Sequence, residues 1–308
     1  MNKKIIVFGV TGEIGGRIAK FAVEAGYEVI GVSRGTNRLP VVDLTGVTML
    51  TGDKGDPDFL KNSCVKINAD IIIDSVPTID HVELFHKYFK QVDNFLFCSS
   101  VGTYAPLQYM PADEKHPWRE ETPRNFYRQS VRDIRIMELY EQGDFPATIF
   151  RPSEILGADR VPIELWGARD IEFFRLLKAN KPVTVADSDH ILIHPVHNQD
   201  VARAFIMALE QPEAIRGEIY NIAGKYAVTL ERYLEIAKEY LNSNSTVIKQ
   251  SREAMLKMPY VGEKNFVFLM THNCIDITKA RNTFNFNPVP VEESLVEALK
   301  WCEETQLL

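Results

Sequence analysis

Unbroken apolar runs alternate with helical patterns through the first half of the chain, and this alternation is what most restricts the fold. "KIIVFGV" precedes a helix through "GRIAKFAVEAG"; "YEVIGVS" and "VTMLTGD" come next, then a helix near "PDFLKNSC". "ADIIIDSV" leads to a helix from Asp80 to Lys90, "NFLFCSS" to a long helix from Asn125 to Gln142, and "PATIFRP" closes the half. A strand that is apolar at every position is buried on both faces, as in a parallel sheet covered by crossover helices. Right-handed crossovers place those helices on both sides. The expected fold class is therefore α/β, a Rossmann-type doubly wound parallel sheet.

The second half is less regular. A loop near Gly157 to Pro162 leads to a helix through "IEFFRLLKANKP"; strands "PVTVAD" and "HILIHPV", a helix "DVARAFIMALEQP" and a strand "GEIYNIAG" come after it. Two further helices start near Thr229 and Val291. Thr229 is a natural N-cap, and Glu231 adds a negative charge to the first turn. This pattern divides the chain into a main-sheet Rossmann-type domain (residues 1–152 plus about 190–224) and a smaller C-terminal lobe (about 153–189 plus 225–308), with one strand returning to the main sheet.

Charge and composition narrow the partners. The 308-residue chain carries a net charge of −7. An acidic surface repels phosphate backbones, so nucleic acid is not an expected partner. The apolar runs are too short to span a bilayer, so no membrane partner is expected. "MNKKIIVFGV" has the charged and apolar parts of a secretory signal, but glycines and Arg17 break the pattern directly after it, and it reads as a buried first strand. Cys64, Cys98, Cys274 and Cys302 are scattered without a CxxC pair. Neither a disulfide framework nor a zinc site is indicated, and a cytoplasmic location is expected.

Between the first strand and first helix stands "GVTGEIG", with Gly9, Gly12 and Gly15 separated by Thr11, Glu13 and Ile14. Small residues there allow a tight turn and a close approach to a pyrophosphate, which the helix N-terminus attracts. At the end of the second strand, where a carboxylate would hold the ribose hydroxyls of NAD(H), stand Ser33 and Arg34, with Arg38 close behind. A hydroxyl and a guanidinium suit a 2′-phosphate, so NADP(H) is expected over NAD(H).

The glycine spacing, in "GVTGEIGG", resembles the short-chain dehydrogenase/reductase superfamily, in its extended branch of NAD-dependent epimerases, dehydratases and reductases. Later segments resemble it in order: "FCSSVGTYA", "FRPSEILG", "LIHPVHNQDVARAF", "YNIAG" and "DITKARNTFNFNPVPVEESLVEALKW". The resemblance implies that Asp53 hydrogen-bonds the adenine amine and that Ser75, Pro152 and Ile155 line the cofactor. It also implies that Ser100 is the catalytic serine, that a homodimer forms through paired helices, and that the substrate is a small carbonyl or sugar-type molecule.

In this family a tyrosine and a lysine one helical turn apart carry the chemistry. Tyr127 and Ser130 of "FYRQSVRDIR" match that motif, but Val131 stands where the lysine belongs. Arg132 lies on another face of the helix, Arg135 about two turns along, and Arg124 and Arg128 flank the tyrosine. Three readings stay open. Tyr127 works as proton donor with help from an arginine, the cofactor or water. Tyr127 is structural, and the protein is a catalytically silent NADP(H)-binding redox sensor or a regulatory or RNA-binding protein. Or other groups, such as Glu154 or Tyr104, do the chemistry. Extended members that handle nucleotide sugars often carry Asn where Glu154 stands; an unpaired carboxylate there would repel a sugar diphosphate. His190, His194 and His197 in "HILIHPVH" fall partly on a strand that would put His190 and His194 on one face. Structural histidines, rather than a metal site, are expected.

Overall fold

The computed structural model describes residues 3–36, 41–118, 127–143 and 145–308; of Tyr127 it describes the backbone. In chain order the first half contains β1 (Lys4–Phe8), α1 (Glu13–Glu24), β2 (Glu28–Ser33), β3 (Val47–Thr51), a single turn α2 (Pro57–Phe59), β4 (Ile71–Asp74), α3 (Ile79–Tyr88), β5 (Asn94–Cys98), α4 (Tyr127–Glu141) and β6 (Ala147–Pro152). The second half contains β7 (Ile155–Leu156), α5 (Ile171–Lys178), β8 (Val183–Ala186), β9 (Leu192–Ile193), β10 (Val196–His197), α6 (Asn198–Ala208) and β11 (Ile219–Ile222). It ends with β12 (Val228–Thr229), α7 (Leu230–Tyr240), β13 (Val247–Gln250), α8 (Arg252–Met255), α9 (Glu263–Leu269), α10 (Thr278–Phe284) and α11 (Val291–Glu304).

The strands β11-β6-β5-β4-β1-β2-β3 form one seven-stranded sheet, every neighbouring pair of which is parallel. Strand alternation sends successive side chains to opposite faces. Ile5 and Val7 join Ile71, Ile73, Leu96 and Phe150 in a core under α1 and α6. Ile6 and Phe8 join Ile72, Phe95, Phe97 and Ile149 under Val82 and Phe85 of α3 and Ile136 and Leu139 of α4. The unbroken apolar strands thus supply two cores at once, which is why they lack polar positions. A separate core gathers Phe173, Phe174 and Leu177 of α5, Tyr233 and Leu234 of α7, and Leu295 and Leu299 of α11. Ile275, Ile277, Ala280, Phe284 and Phe286 pack back into the α1/α6 face of the main sheet.

Two sequence expectations change. "HILIHPV" is not one strand: β9 pairs antiparallel with β12, and β10 pairs parallel with β7. Pro195, which has no N–H to give a ladder, lies at the break. His190 and His194 therefore do not share a strand face. The helix expected near "PDFLKNSC" is α2 followed by a π-turn over Leu60–Cys64 and a 3-10 turn over Val65–Ile67. Thr229 caps α7 as expected, its hydroxyl accepting from the Arg232 N–H at 3.1 Å.

Candidate active site

Strand order reverses between β1 and β4, and a crevice opens there at the carboxyl ends of the strands. Two clefts, of about 590 Å³ and 490 Å³, lie on either side and share Gly12 and Val76.

The turn between them is made of glycine for steric reasons. Gly9 has φ +79°, and a Cβ on Gly15 would collide with the Gly9 carbonyl. That carbonyl accepts from the Gly12 N–H at 3.0 Å. α1 then starts at Glu13 without a side-chain cap, so its first-turn N–H groups have no partner within the helix. Ser75 donates its hydroxyl to the Phe8 carbonyl at 3.0 Å and buttresses the turn.

In the first cleft, Thr11, Ser33, Arg34 and Asp53 come together. Ser33 Oγ accepts from the Gly35 N–H. Asp53 Oδ1 accepts from the Gly55 N–H at 2.8 Å. Arg34 is exposed and makes no hydrogen bond or ion pair among the described residues. Arg38 lies outside the described residues.

Two further lining groups had no sequence signal. Lys54 donates to both carboxylate oxygens of buried Asp74, at 2.5 and 2.7 Å, and to the Val76 carbonyl. Burial lowers the Lys54 pKa in spite of Asp74. His81 Nδ1 accepts from the Thr78 N–H in a capping box, which leaves its proton on Nε2. Burial, and secondly the Lys54 charge, lower its pKa.

The second cleft brings Glu13, Ile14 and Gly15 together with Ser75, Ser100, Pro152 and Ile155. Ser100 Oγ accepts from the Gly102 N–H at 3.1 Å at the start of a 3-10 turn; its own proton remains for another oxygen. Ser153, 6% exposed, and Gln129 also line this cleft. Ser153 Oγ and Gln129 Oε1 are buried without a hydrogen-bond partner among the described residues. Such orphaned groups are uncommon in an interior and are ready to meet a ligand.

The charges around this cleft are paired. Glu13 meets Arg160 at 3.4 Å and accepts from Asn198 Nδ2 at 3.2 Å. Glu154 is ion-paired with Arg169, so the repulsion expected from an unpaired carboxylate is offset. Arg169 also donates to the Val161 carbonyl at 2.8 Å.

Beneath Ser100 lies a buried network. Asp133 accepts from Ser99 Oγ at 2.6 Å, from Arg132 at 2.6 and 3.1 Å, and from Arg151 at 3.0 and 3.1 Å. Arg151 is fully buried, its guanidinium 4.1 Å from the Trp118 ring centroid and 4.8 Å from that of Tyr104. Arg132 also donates to the Pro77 carbonyl at 3.0 Å, and Arg135 to Glu83 and Glu138. Both arginines are thus committed elsewhere. Tyr104 is excluded as a reacting group: it is fully buried, its hydroxyl donates to Asn221 Oδ1 at 3.1 Å, and burial raises its pKa.

The histidines hold backbone. His194 Nδ1 accepts from the Ile275 N–H, and Nε2 meets the Gly224 carbonyl. His197 caps α6 and meets Glu297 at 3.0 Å. Among the described residues no cluster of His, Cys, Asp and Glu could hold a metal ion, and no helix is long and apolar enough to cross a membrane.

Comparison with known proteins agrees with this geometry. Residues 76–223 match the NAD dependent epimerase/dehydratase family, and residues 1–102 match the NmrA-like family. The chain is 26% identical to the chloroplast stem-loop binding protein of 41 kDa b of Arabidopsis thaliana, over 97% of this chain and 78% of that protein. In fold it is similar to the dTDP-glucose 4,6-dehydratase of Bacillus anthracis in complex with NAD, with a TM-score of 0.78, 17% identity, and 99% and 98% of the two chains covered. It is also similar to the UDP-glucuronic acid 4-epimerase of Bacillus cereus in complex with UDP-glucuronic acid and NAD, with a TM-score of 0.73, 16% identity, and 98% and 99% covered. Residues 76–223 are thus similar in sequence to the NAD dependent epimerase/dehydratase family, and the whole chain shares the fold of the solved dehydratase and epimerase.

Proposed function

We propose that the protein binds NADP(H) across the crevice and works as an atypical reductase or epimerase/dehydratase on a small carbonyl or sugar-type substrate. The observation that carries this reading is the meeting of two clefts at one capless glycine turn. One cleft carries the exposed guanidinium of Arg34, the other the Ser100 hydroxyl beside two buried polar atoms that have no partner among the described residues.

The turn amides would hold the diphosphate, Asp53 the adenine, Ser33 and Arg34 a 2′-phosphate, and Pro152 and Ile155 the nicotinamide end. When bound, the nicotinamide supplies hydride transfer. Ser100 donates to the reacting oxygen, and Tyr127 exchanges its proton. We propose residues 1–152 and about 190–224 as the nucleotide domain and the rest as the substrate lobe, from which 275–286 returns to the sheet core. Four free cysteines suit a reducing cytoplasm.

The test is turnover of NADPH with aldehydes, ketones and nucleotide sugars. Tyr127→Phe should lower kcat about 100-fold or more. Unchanged turnover in that variant would remove Tyr127 from the chemistry.

A second reading has its own support. Arg132 and Arg135 are engaged away from the motif, and the full-length relative is named for stem-loop binding. A silent NADP(H) sensor or RNA-binding protein would bind cofactor or a stem-loop RNA tightly and turn over nothing in the panel.

A further inference from the structure

Glu13 stands in the first turn of α1, where an incoming diphosphate would meet its negative charge. The residue opposite is Arg160, on the segment that comes after β7. That segment is strapped to the glycine turn. Arg17 donates to the Ala158 carbonyl and pairs with Asp159. Asn198 Nδ2 bridges the Ala158 carbonyl at 2.8 Å and Glu13 Oε1 at 3.2 Å. Gly157, at φ +131°, abuts the Asn198 side chain so closely that no Cβ fits.

Arg160 therefore hangs from a fixed strap over the cleft that Gly12–Gly15 floor. Its side chain is 43% exposed and, among the described residues, spends one contact on Glu13, at 3.4 Å. A guanidinium has five N–H donors, so the others remain for oxygens in the cleft. The exposed Arg160 contrasts with the neighbouring Arg17, which pairs with Asp159 and is 6% exposed.

We propose that Arg160 clamps the cofactor diphosphate from the side opposite the turn amides, and that Glu13 keeps it aimed there and tempers its charge. The clamp rests on the nucleotide-binding reading. It makes the substrate lobe a contributor to cofactor affinity, through an ion pair that spans the crevice. With the pair intact the two side chains add no net charge near the diphosphate. Removing Arg160 leaves Glu13 repelling it, and removing the Glu13 charge leaves a surplus cation.

The experiment is calorimetric titration of the full chain with NADPH, ADP-ribose and 2′-AMP, for wild type, Glu13→Gln, Arg160→Gln, Arg160→Lys and the Glu13→Gln/Arg160→Gln double variant. Circular dichroism checks that each is folded. Arg160→Gln should weaken NADPH and ADP-ribose on the order of tenfold, flatten the salt dependence of Kd, and leave 2′-AMP, which lacks the diphosphate, unchanged. Glu13→Gln should tighten the two diphosphates a few-fold, the double variant should fall between the singles, and Arg160→Lys should rescue part of the loss. Equal affinities in wild type and Arg160→Gln, or an equal loss for 2′-AMP, would overturn the clamp while leaving the cofactor site standing. Wild-type protein that binds none of the three ligands would instead overturn the cofactor reading, and the clamp with it.

Discussion

The two sides of the crevice are built differently. The side formed by the ends of β1, β2 and β3 relies on neighbours in sequence: a glycine turn, a Ser-Arg pair at one strand end and an Asx turn at Asp53. The side formed by β4, β5 and β6 relies on residues far apart. Asp133 of α4 is joined to Ser99 after β5 and Arg151 in β6, and Glu13 is joined to Arg160 and Asn198. A local device can change with little effect on the fold. A convergent one is part of the fold, so its loss should be felt as stability first.

The strongest way to break this contrast is Asp133→Ala. It would leave Arg132 and Arg151 buried without their carboxylate, and removing one member of a buried ion network typically costs about 3–5 kcal/mol. Urea unfolding should show that loss. A loss below about 1 kcal/mol would mean that the Trp118 and Tyr104 rings, or water, already satisfy Arg151, and that the β4–β6 side is no more part of the fold than the other.

A second test concerns the seam between sheet and lobe, where His194 joins the Gly224 and Ile275 backbones. Accepting at Nδ1 and donating at Nε2 requires a neutral ring, and burial depresses its pKa from 6.5 to about 4. In the unfolded chain the group binds a proton at its ordinary pKa, so between pH about 6.5 and about 4 the unfolded state holds more protons than the folded one. The stabilisation is complete above the upper limit and is lost as pH falls through the window, by about 3 kcal/mol in all. Unfolding free energies at pH 7.5, 5.5 and 4.5, in wild type and His194→Gln, should show a pH slope that shrinks in the variant. Equal slopes would place the titration elsewhere.

These contrasts explain how much the sequence disclosed. The sheet was legible because Ile5 and Ile6, or Ile72 and Ile73, must each fill a different face. Gly9, Gly12 and Gly15 were legible because a steric demand acts within a few residues. Asp133 gave no sign beyond its neighbour Arg132, since its other partners stand 34 and 18 positions away. Lys54 reads as a surface charge until Asp74 is brought beneath it. Tyr104 looked available because its segment resembles a reactive one, and only the packing shows its hydroxyl spent on Asn221. Short helices such as α8 and α9 escaped notice because one or two turns carry too little apolar periodicity to register.

Gly15→Ala acts on the turn shared by both sides. Its methyl would press on the Gly9 carbonyl, a backbone atom that cannot rotate away. Overpacking of this kind typically costs about 1–3 kcal/mol, and here it falls on the spacing between turn and diphosphate. Titration should find nucleotide affinity lowered roughly ten- to 100-fold with the far-ultraviolet circular dichroism unchanged. Unaltered affinity would mean that the diphosphate does not rest on this turn.

The smallest effect, and the one that most sharpens the comparison, belongs to Arg34→Ala. Arg34 is exposed and has no partner among the described residues, so its removal should leave unfolding free energy where it was. A charge-assisted contact to a 2′-phosphate would still be lost, and NADPH should bind roughly tenfold more weakly at low salt. NADH, without that phosphate, should be unaffected, and the NADPH difference should shrink as salt screens the exposed charge. Loss for both nucleotides would point to a contact with the shared adenosine half. Loss for neither would remove the basis for NADP(H) preference, leaving Ser33 to hold an unphosphorylated ribose.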